Sequence, residues 1–297
     1  MLDAANDVAP KTEPATVPWS TQFDLISRVS GRTYRIFVFQ PPIPPPETGY
    51  PVVTVLDGNM TFPIAAAMAA TYAWSACPAM VVGVGYASGN PAEWMVARLK
   101  DLTPATPPEG IPQRKGLPPL APEGVGGADE LHRFLTEELR PLIAKAHEVD
   151  PDRQALFGYS LAGLFVLHVL FRQPEAYRTF AAASPSIWWN ECALLDDEAR
   201  FVRAVKCGAT QPRVLISVGT KEQTLPRRLP PGMTAEETMA LLDEGRMVDN
   251  AWELSERLGK LEGGDGWELS FHAFEDEDHL TCLAASVGRA LDFALRD

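Results

Sequence analysis

A serine lies between small residues at the point where a short apolar run gives way to a helical pattern. Gly158 precedes this serine, Ser160, by two positions, and Ala162 and Gly163 follow it. A strand that turns abruptly into a helix brings its own backbone into close contact, so only small side chains fit beside the central residue. A serine that begins a helix can also be a simple cap. The pattern predicts a strand, a tight turn and a helix, with Ser160 held at the turn.

Strand-like and helix-like segments alternate along most of the chain. Short apolar or β-branched runs are typical of strands that are buried on both faces of a parallel sheet. We predict a hairpin from 22–29 and 32–40, and further strands at 51–56, 79–85, 154–157, 180–183, 213–219 and 267–274. We predict helices at 60–74, 128–147, 164–171, 234–261 and 283–295. This alternation indicates an α/β fold with a mostly parallel central sheet and helices on both faces.

The periodic part of the chain begins near position 21. Residues 1–20 are polar and rich in proline, and we predict that they form a loose arm. The chain has 297 residues, 46% of them hydrophobic, which is enough to bury one large core. No composition shift marks a second domain, so residues 21–297 are predicted to form a single domain.

Acidic residues outnumber basic ones in this chain. It carries 26 Lys and Arg residues against 39 Asp and Glu residues, a formal net charge of −13. Nucleic acid and anionic membrane surfaces both select basic faces, so we expect neither as a general partner. No apolar run is long enough to span a bilayer, and the acidic N-terminus has no pattern of a secretory signal. These features predict a cytoplasmic protein with no membrane partner.

The four cysteines do not have the spacing of metal ligands. They are scattered along the chain, at Cys77, Cys192, Cys207 and Cys282. This usage predicts reduced thiols in a cytosolic protein and no cysteine-bound metal. The sequence is compatible with either a monomer or a homo-oligomer.

If Ser160 is a nucleophile, it needs a base to take its proton. His279 is the best candidate because it follows the last predicted strand in a loop, although an acidic loop with an incidental histidine would have the same pattern. His168 and His272 lie within apolar or strand segments, where packed histidines are common. His132 and His147 lie in a helix well before Ser160. We therefore predict that His279 is the base.

The base in turn needs a carboxylate that orients it. The strand at 213–219 delivers Glu222 to the same edge of the sheet, so Glu222 is our candidate, against the alternative of a surface carboxylate. Asp249 is a weaker candidate because it falls inside a helical pattern. The order of Ser160, Glu222 and His279 along the chain is the nucleophile, acid and base order of α/β-hydrolases.

Acyl transfer also requires two hydrogen-bond donors for the oxyanion. The backbone N–H of Leu161, directly after the serine, would be one donor. The other should come from the end of the strand at 51–56, where the sequence Asp57-Gly58-Asn59 follows. We choose the N–H of Asn59 over that of Gly58, although the same three residues could form a simple turn.

Taken together, these segments resemble the esterase family of α/β-hydrolases, and within it the enterobactin (ferric-siderophore) esterases. The resemblance covers nearly everything after position 21 and is strongest at 50–62, 98–104, 127–141, 158–163, 184–190 (Ser-Pro-Ser-Ile-Trp-Trp-Asn) and 278–279. It implies an α/β-hydrolase fold and no cofactor. It further implies that Arg98 faces the catecholate groups of a siderophore, unless Arg98 merely pairs with Asp101. Trp188 and Trp189 would line an aromatic acyl pocket or simply pack.

The predicted activity is hydrolysis of a small-molecule carboxylic ester through an acyl-enzyme on Ser160. The resemblance favours a siderophore lactone as the substrate, and it places substrate choice in the segments 103–126 and 225–249. A broad small-molecule carboxylesterase or an acyl-thioester hydrolase is the alternative. Two other classes are a catalytically silent ligand-binding homologue, which the presence of Ser160 and His279 argues against, and an acyltransferase.

Overall fold

The computed structural model describes residues 13–75, 77–113 and 120–296. Eight strands form one sheet in the order β1-β2-β4-β3-β5-β6-β7-β8. The strands β1 and β2 form an antiparallel hairpin, β2 pairs antiparallel with β4, and the strands from β3 to β8 run parallel. The strands span Ser20–Ile26, Thr33–Phe39, Tyr50–Leu56, Met80–Tyr86, Val149–Tyr159, Thr179–Ala183, Arg213–Gly219 and Glu268–Phe274.

Helices cover both faces of this sheet. They are α1 (Gly58–Ser75), α2 (Pro91–Leu102), α3 (Ala128–Arg133), α4 (Arg140–Ala146), α5 (Leu161–Arg172), α6 (Glu198–Lys206), α7 (Ala235–Gly245), α8 (Met247–Leu258) and α9 (Cys282–Leu295). A π-helical segment, Phe134–Leu139, joins α3 to α4.

The side chains of β5 show how the two faces divide. Leu156 packs into the core beneath α3, α5 and α8, whereas its neighbours Ala155 and Phe157 pack into the core beneath α1 and α9. Successive residues of a strand point to opposite faces, so a strand with apolar residues at every position is buried on both. The α/β fold with a mostly parallel sheet and helices on both faces is therefore confirmed.

Several element predictions differ from the structure. The predicted helix at 234–261 is two helices, because Arg246 adopts a left-handed conformation with φ of 42° between α7 and α8. The strand before Ser160 begins at Val149 rather than at position 154. Two helices, α2 and α6, were not predicted. The predicted arm at 1–20 lies outside the described residues as far as position 12.

Within the described ranges, no helix is both long and apolar enough to cross a membrane.

Candidate active site

Ser160 occupies the tight turn between β5 and α5. Its φ of 61° and ψ of −117° are strained for a residue with a side chain. A Cβ atom on Gly158 would collide with the backbone of Ala162, and one on Gly163 would lie 2.8 Å from the carbonyl oxygen of Ala183. The N–H of Ser160 donates to that same Ala183 oxygen at 2.9 Å. The small residues around the serine are therefore required by close backbone approach, as the sequence pattern predicts.

The structure brings Ser160, His279 and Glu222 together at the carboxyl edge of the sheet. His279 Nε2 lies 3.0 Å from Ser160 Oγ, and His279 Nδ1 lies 2.5 Å from Glu222 Oε2. The serine follows β5, the glutamate follows β7 and the histidine follows β8, so parallel strands that end at one edge supply all three. This is the geometry of a nucleophile, a base and an orienting acid.

Glu222 is held by hydrogen bonds on the side away from the histidine. Its side chain is 0% exposed. Oε1 accepts from Ser184 Oγ at 2.5 Å and from the N–H of Gly219 at 2.8 Å. Two donors on one oxygen fix the orientation of the buried carboxyl group and leave Oε2 facing His279.

Tyr159, the residue before the serine, supports the histidine loop. Its hydroxyl donates to the backbone carbonyl of His279 at 2.7 Å. Burial, followed by the nearby charge of Glu222, raises the pKa of Tyr159 well above its usual value. The phenol therefore stays protonated, and remains a donor, over the pH range in which a histidine base works.

The two residues predicted to supply oxyanion donors both lie in the first turn of a helix. Leu161 is the first residue of α5, and Asn59 is the second residue of α1. Backbone N–H groups in the first turn of a helix have no partner within that helix. Leu161 lines the same cleft as Ser160, and so does Met60, the neighbour of Asn59 in the chain.

The predicted substrate-binding residues line this cleft, which has a volume of about 350 Å³. Arg98 lies there, paired with Asp57 and not with Asp101, which binds Arg32 instead. Trp188 is half-buried. Trp189 is 2% exposed, and its indole N–H donates to Thr106 Oγ1 at 2.9 Å. Apolar side chains complete the walls, from Met60, Met95, Leu280 and Leu283.

The alternatives to His279 and Glu222 lie in other contacts. The imidazole of His168 is buried against Asp129, with Nε2 2.7 Å from the carboxylate. Asp249 accepts from the side chain of Gln223 at 3.1 Å, on α8. Among the residues that the structure describes, no group of three or more His, Cys, Asp or Glu side chains could hold a metal ion.

Sequence reasoning did not single out Ser184, Tyr159 or Asp57 as parts of the site. Ser184 and Glu222 are 38 residues apart, and Asp57 and Arg98 are 41 apart. Each of the three residues ends or directly follows a buried strand. This position is the sequence signal that could have identified them as part of the site. It does not tell which side chain of another loop will be the partner.

Known proteins are similar to this chain along most of its length. Residues 27–273 match the family model named Esterase and described as "Putative esterase". The ferri-bacillibactin esterase BesA of Bacillus subtilis is 36% identical, over 94% of this chain and 91% of its own length. The siderophore triacetylfusarinine C esterase of Aspergillus fumigatus is 33% identical, over 83% of this chain and 82% of its own length.

A solved structure is also similar over the whole chain. The BES protein from Bacillus cereus superimposes with a TM-score of 0.80 and 30% identity, covering 98% of this chain and 100% of its own. A family match of this extent, together with relatives of this identity and coverage, shows that the chain belongs to the Esterase family.

Proposed function

We propose that this protein is a serine esterase that hydrolyses siderophore esters through an acyl-enzyme on Ser160. The observation that carries the proposal is the continuous hydrogen-bonded series from Ser160 through His279 to Glu222, within a cleft. The names of the relatives support the substrate class, because BesA is a ferri-bacillibactin esterase and the Aspergillus relative is a triacetylfusarinine C esterase.

The chemistry follows from the geometry. His279 Nε2 takes the proton from Ser160 as Oγ bonds to the ester carbonyl carbon, and the N–H groups of Leu161 and Asn59 donate to the resulting oxyanion. The tetrahedral intermediate collapses, the ester C–O bond breaks, and His279 gives its proton to the departing alkoxide. Water then repeats these steps on the acyl-enzyme and releases the acid. Glu222 keeps Nδ1 protonated and stabilises the imidazolium.

Cytoplasmic action fits this proposal. Cys192, Cys207 and Cys282 are free thiols, as expected in a reducing compartment. A siderophore ester would then be hydrolysed after the loaded siderophore has been taken up.

The test compares the native protein with Ser160→Ala on siderophore lactones and on a p-nitrophenyl ester. We expect Ser160→Ala to lose activity by orders of magnitude, because the covalent step is gone. Ser186 is the rival nucleophile, since its Oγ lies 3.4 Å from that of Ser160. If Ser186→Ala alone abolished the acyl burst, the assignment of Ser160 would be wrong. Turnover of simple esters or thioesters without any siderophore hydrolysis would favour a broad carboxylesterase or thioesterase.

A further inference from the structure

The guanidinium of Arg98 is already paired. Nε donates to Asp57 Oδ1 at 3.0 Å and Nη2 donates to Oδ2 at 2.7 Å, a two-point contact between planar groups. The two side chains are 11% and 4% exposed. Although burial acts to lower it, the adjacent Asp57 carboxylate holds the pKa of Arg98 above its ordinary value. The charge that Arg98 brings to the cleft is therefore largely neutralised by its partner.

Asp57 is the residue at which β3 turns into α1. Its φ of 52° is left-handed, a conformation that is strained for a non-glycine residue. Its carbonyl accepts from the N–H groups of Met60 and Thr61 at 2.9 and 3.1 Å, which starts the helix. A strained backbone conformation persists only where surrounding contacts hold it. Here the Arg98 guanidinium holds the Asp57 carboxylate.

The next two residues of the turn, Gly58 and Asn59, are held by contacts with β4. Asn59 Nδ2 donates to the carbonyl of Tyr86 at 3.0 Å, and Asn59 Oδ1 accepts from the N–H of Tyr86 at 2.7 Å. A Cβ on Gly58 would lie 2.8 Å from the backbone nitrogen of Val84. Strand β4 therefore fixes one flank of the turn, and the ion pair with α2 fixes the other.

We propose that Arg98 is a positioning residue, which acts through its two-point ion pair with Asp57 to fix the turn that presents the Asn59 N–H to the oxyanion. This rests on the proposed esterase function and deepens it. Arg98 then contributes to the transition state of every ester substrate, whether or not the substrate is charged, instead of anchoring the anionic groups of a catecholate.

The two roles predict different kinetics. A positioning residue lowers kcat for a neutral ester with little change in KM, because the oxyanion develops only in the transition state. A residue that binds a charged group raises KM for an anionic substrate and leaves a neutral substrate unaffected. The substrate pair is therefore p-nitrophenyl butyrate, which is neutral, and a ferric tris-catecholate lactone, which is anionic.

We expect Arg98→Gln and Asp57→Asn each to lower kcat on the neutral ester by about tenfold or more, with KM within about twofold of native. The double variant should be no worse than either single variant, because both remove the same contact. Arg98→Lys should recover only part of the rate, since an ammonium cannot make the two-point contact. Affinity for a trifluoromethyl ketone, whose adduct with Ser160 carries an oxyanion, should fall by the same factor as kcat/KM.

Arg35→Gln is the matched control. Arg35 makes the same kind of two-point pair with Asp24, at 2.8 and 3.0 Å, on the hairpin of β1 and β2. Its loss should leave both kcat and ketone affinity at the native values. If Arg98→Gln fails to fold, Asp57→Asn, which is nearly isosteric, decides the question.

The proposal is overturned if folded Arg98→Gln and Asp57→Asn keep native kcat on the neutral ester. It is also overturned if their only effect is a higher KM for the catecholate. Failure of the esterase function itself has a different signature, namely no turnover of any ester by the native protein, or activity that survives in Ser160→Ala.

Discussion

The hydroxyl of Ser184 donates to the oxygen of Glu222 that faces away from His279, at 2.5 Å. A hydrogen bond to a charged group contributes about 1.5–3 kcal/mol. Without this bond Glu222 would be held less firmly, and it would orient His279 less well. We expect Ser184→Ala to lower kcat by about tenfold, because each 1.36 kcal/mol is a factor of ten. The measurement is kcat and its pH profile on one ester substrate.

Ser286→Ala is the control for this prediction. Ser286 is just as buried, but its hydroxyl contacts Cys282 Sγ and not the carboxylate. It should change stability without changing the pH profile. Equal kcat in Ser184→Ala and native protein would show that the Gly219 N–H alone suffices to hold Glu222.

At the scale of single residues, the sequence carried part of the site. The proximity of Ser160, Glu222 and His279 was predictable because each follows a buried strand of one parallel sheet, whereas their catalytic roles stay a prediction. The partners of these residues were not predictable. Asp57 was identified only as part of a turn, since its contact with Arg98 depends on how α2 lies across the end of β3.

At the scale of elements, Gly219 ends β7 and packs against the loop that holds His279. A Cβ on Gly219 would collide with the backbone carbonyl of Glu277, two residues before His279. Because backbone cannot move aside as a flexible side chain can, Gly219→Ala should push the two loops apart and lengthen the contact between Glu222 and His279. We expect a loss of kcat of at least about tenfold, together with a lower Tm.

Gly89→Ala is the matched change, since nothing lies within 4 Å of a Cβ at that position and its φ is not positive. It should leave kcat as it is and shift stability by no more than about 0.5 kcal/mol, as is usual at the surface. If Gly219→Ala were as active as Gly89→Ala, the close approach of these loops would not matter for the site.

The elements that sequence patterns predicted and missed differ for physical reasons. The parallel strands have continuous apolar runs, and these runs are visible without tertiary information. The helix α2 was missed although its start carries a signal, since Asn90 Oδ1 caps the N–H of Ala92 and Pro91 occupies the first helical position. The break at Arg246 gave no such signal, because arginine carries no preference for the left-handed conformation that it adopts there.

At the scale of the whole molecule, the parallel sheet gathers the site from distant parts of the chain. The ends of β3, β5, β6, β7 and β8 are followed by Asp57, Ser160, Ser184, Glu222 and His279 in turn. Because parallel strands share one carboxyl edge, the strand order alone determines that these residues meet. The fold class was therefore enough to predict that these residues lie together at one edge of the sheet.

The same molecule buries two ionisable groups whose effects on global stability have opposite signs. Burial, more than any other cause, lowers the pKa of His132 to about 4 and raises that of Asp101 to about 6. The unfolded chain binds a proton at His132 more tightly than the folded protein does, so stability from His132 is lost as pH falls from about 6.5 towards 4. The folded protein binds a proton at Asp101 more tightly, so Asp101 makes the protein more stable over the same descent.

Denaturant unfolding at about pH 7 and about pH 5 separates the two effects. His132→Phe should lose less free energy of unfolding on acidification than native protein, by about 2 kcal/mol, which follows from the size of its pKa shift. Asp101→Asn should lose more than native protein, because it lacks the compensating protonation. The imidazole has an unpaired Nε2 among the described residues, and it packs near Phe165 and Tyr177, so an aromatic replacement keeps those neighbours. If native protein and His132→Phe lost stability equally, His132 would not be the buried neutral group that makes the fold sensitive to acid.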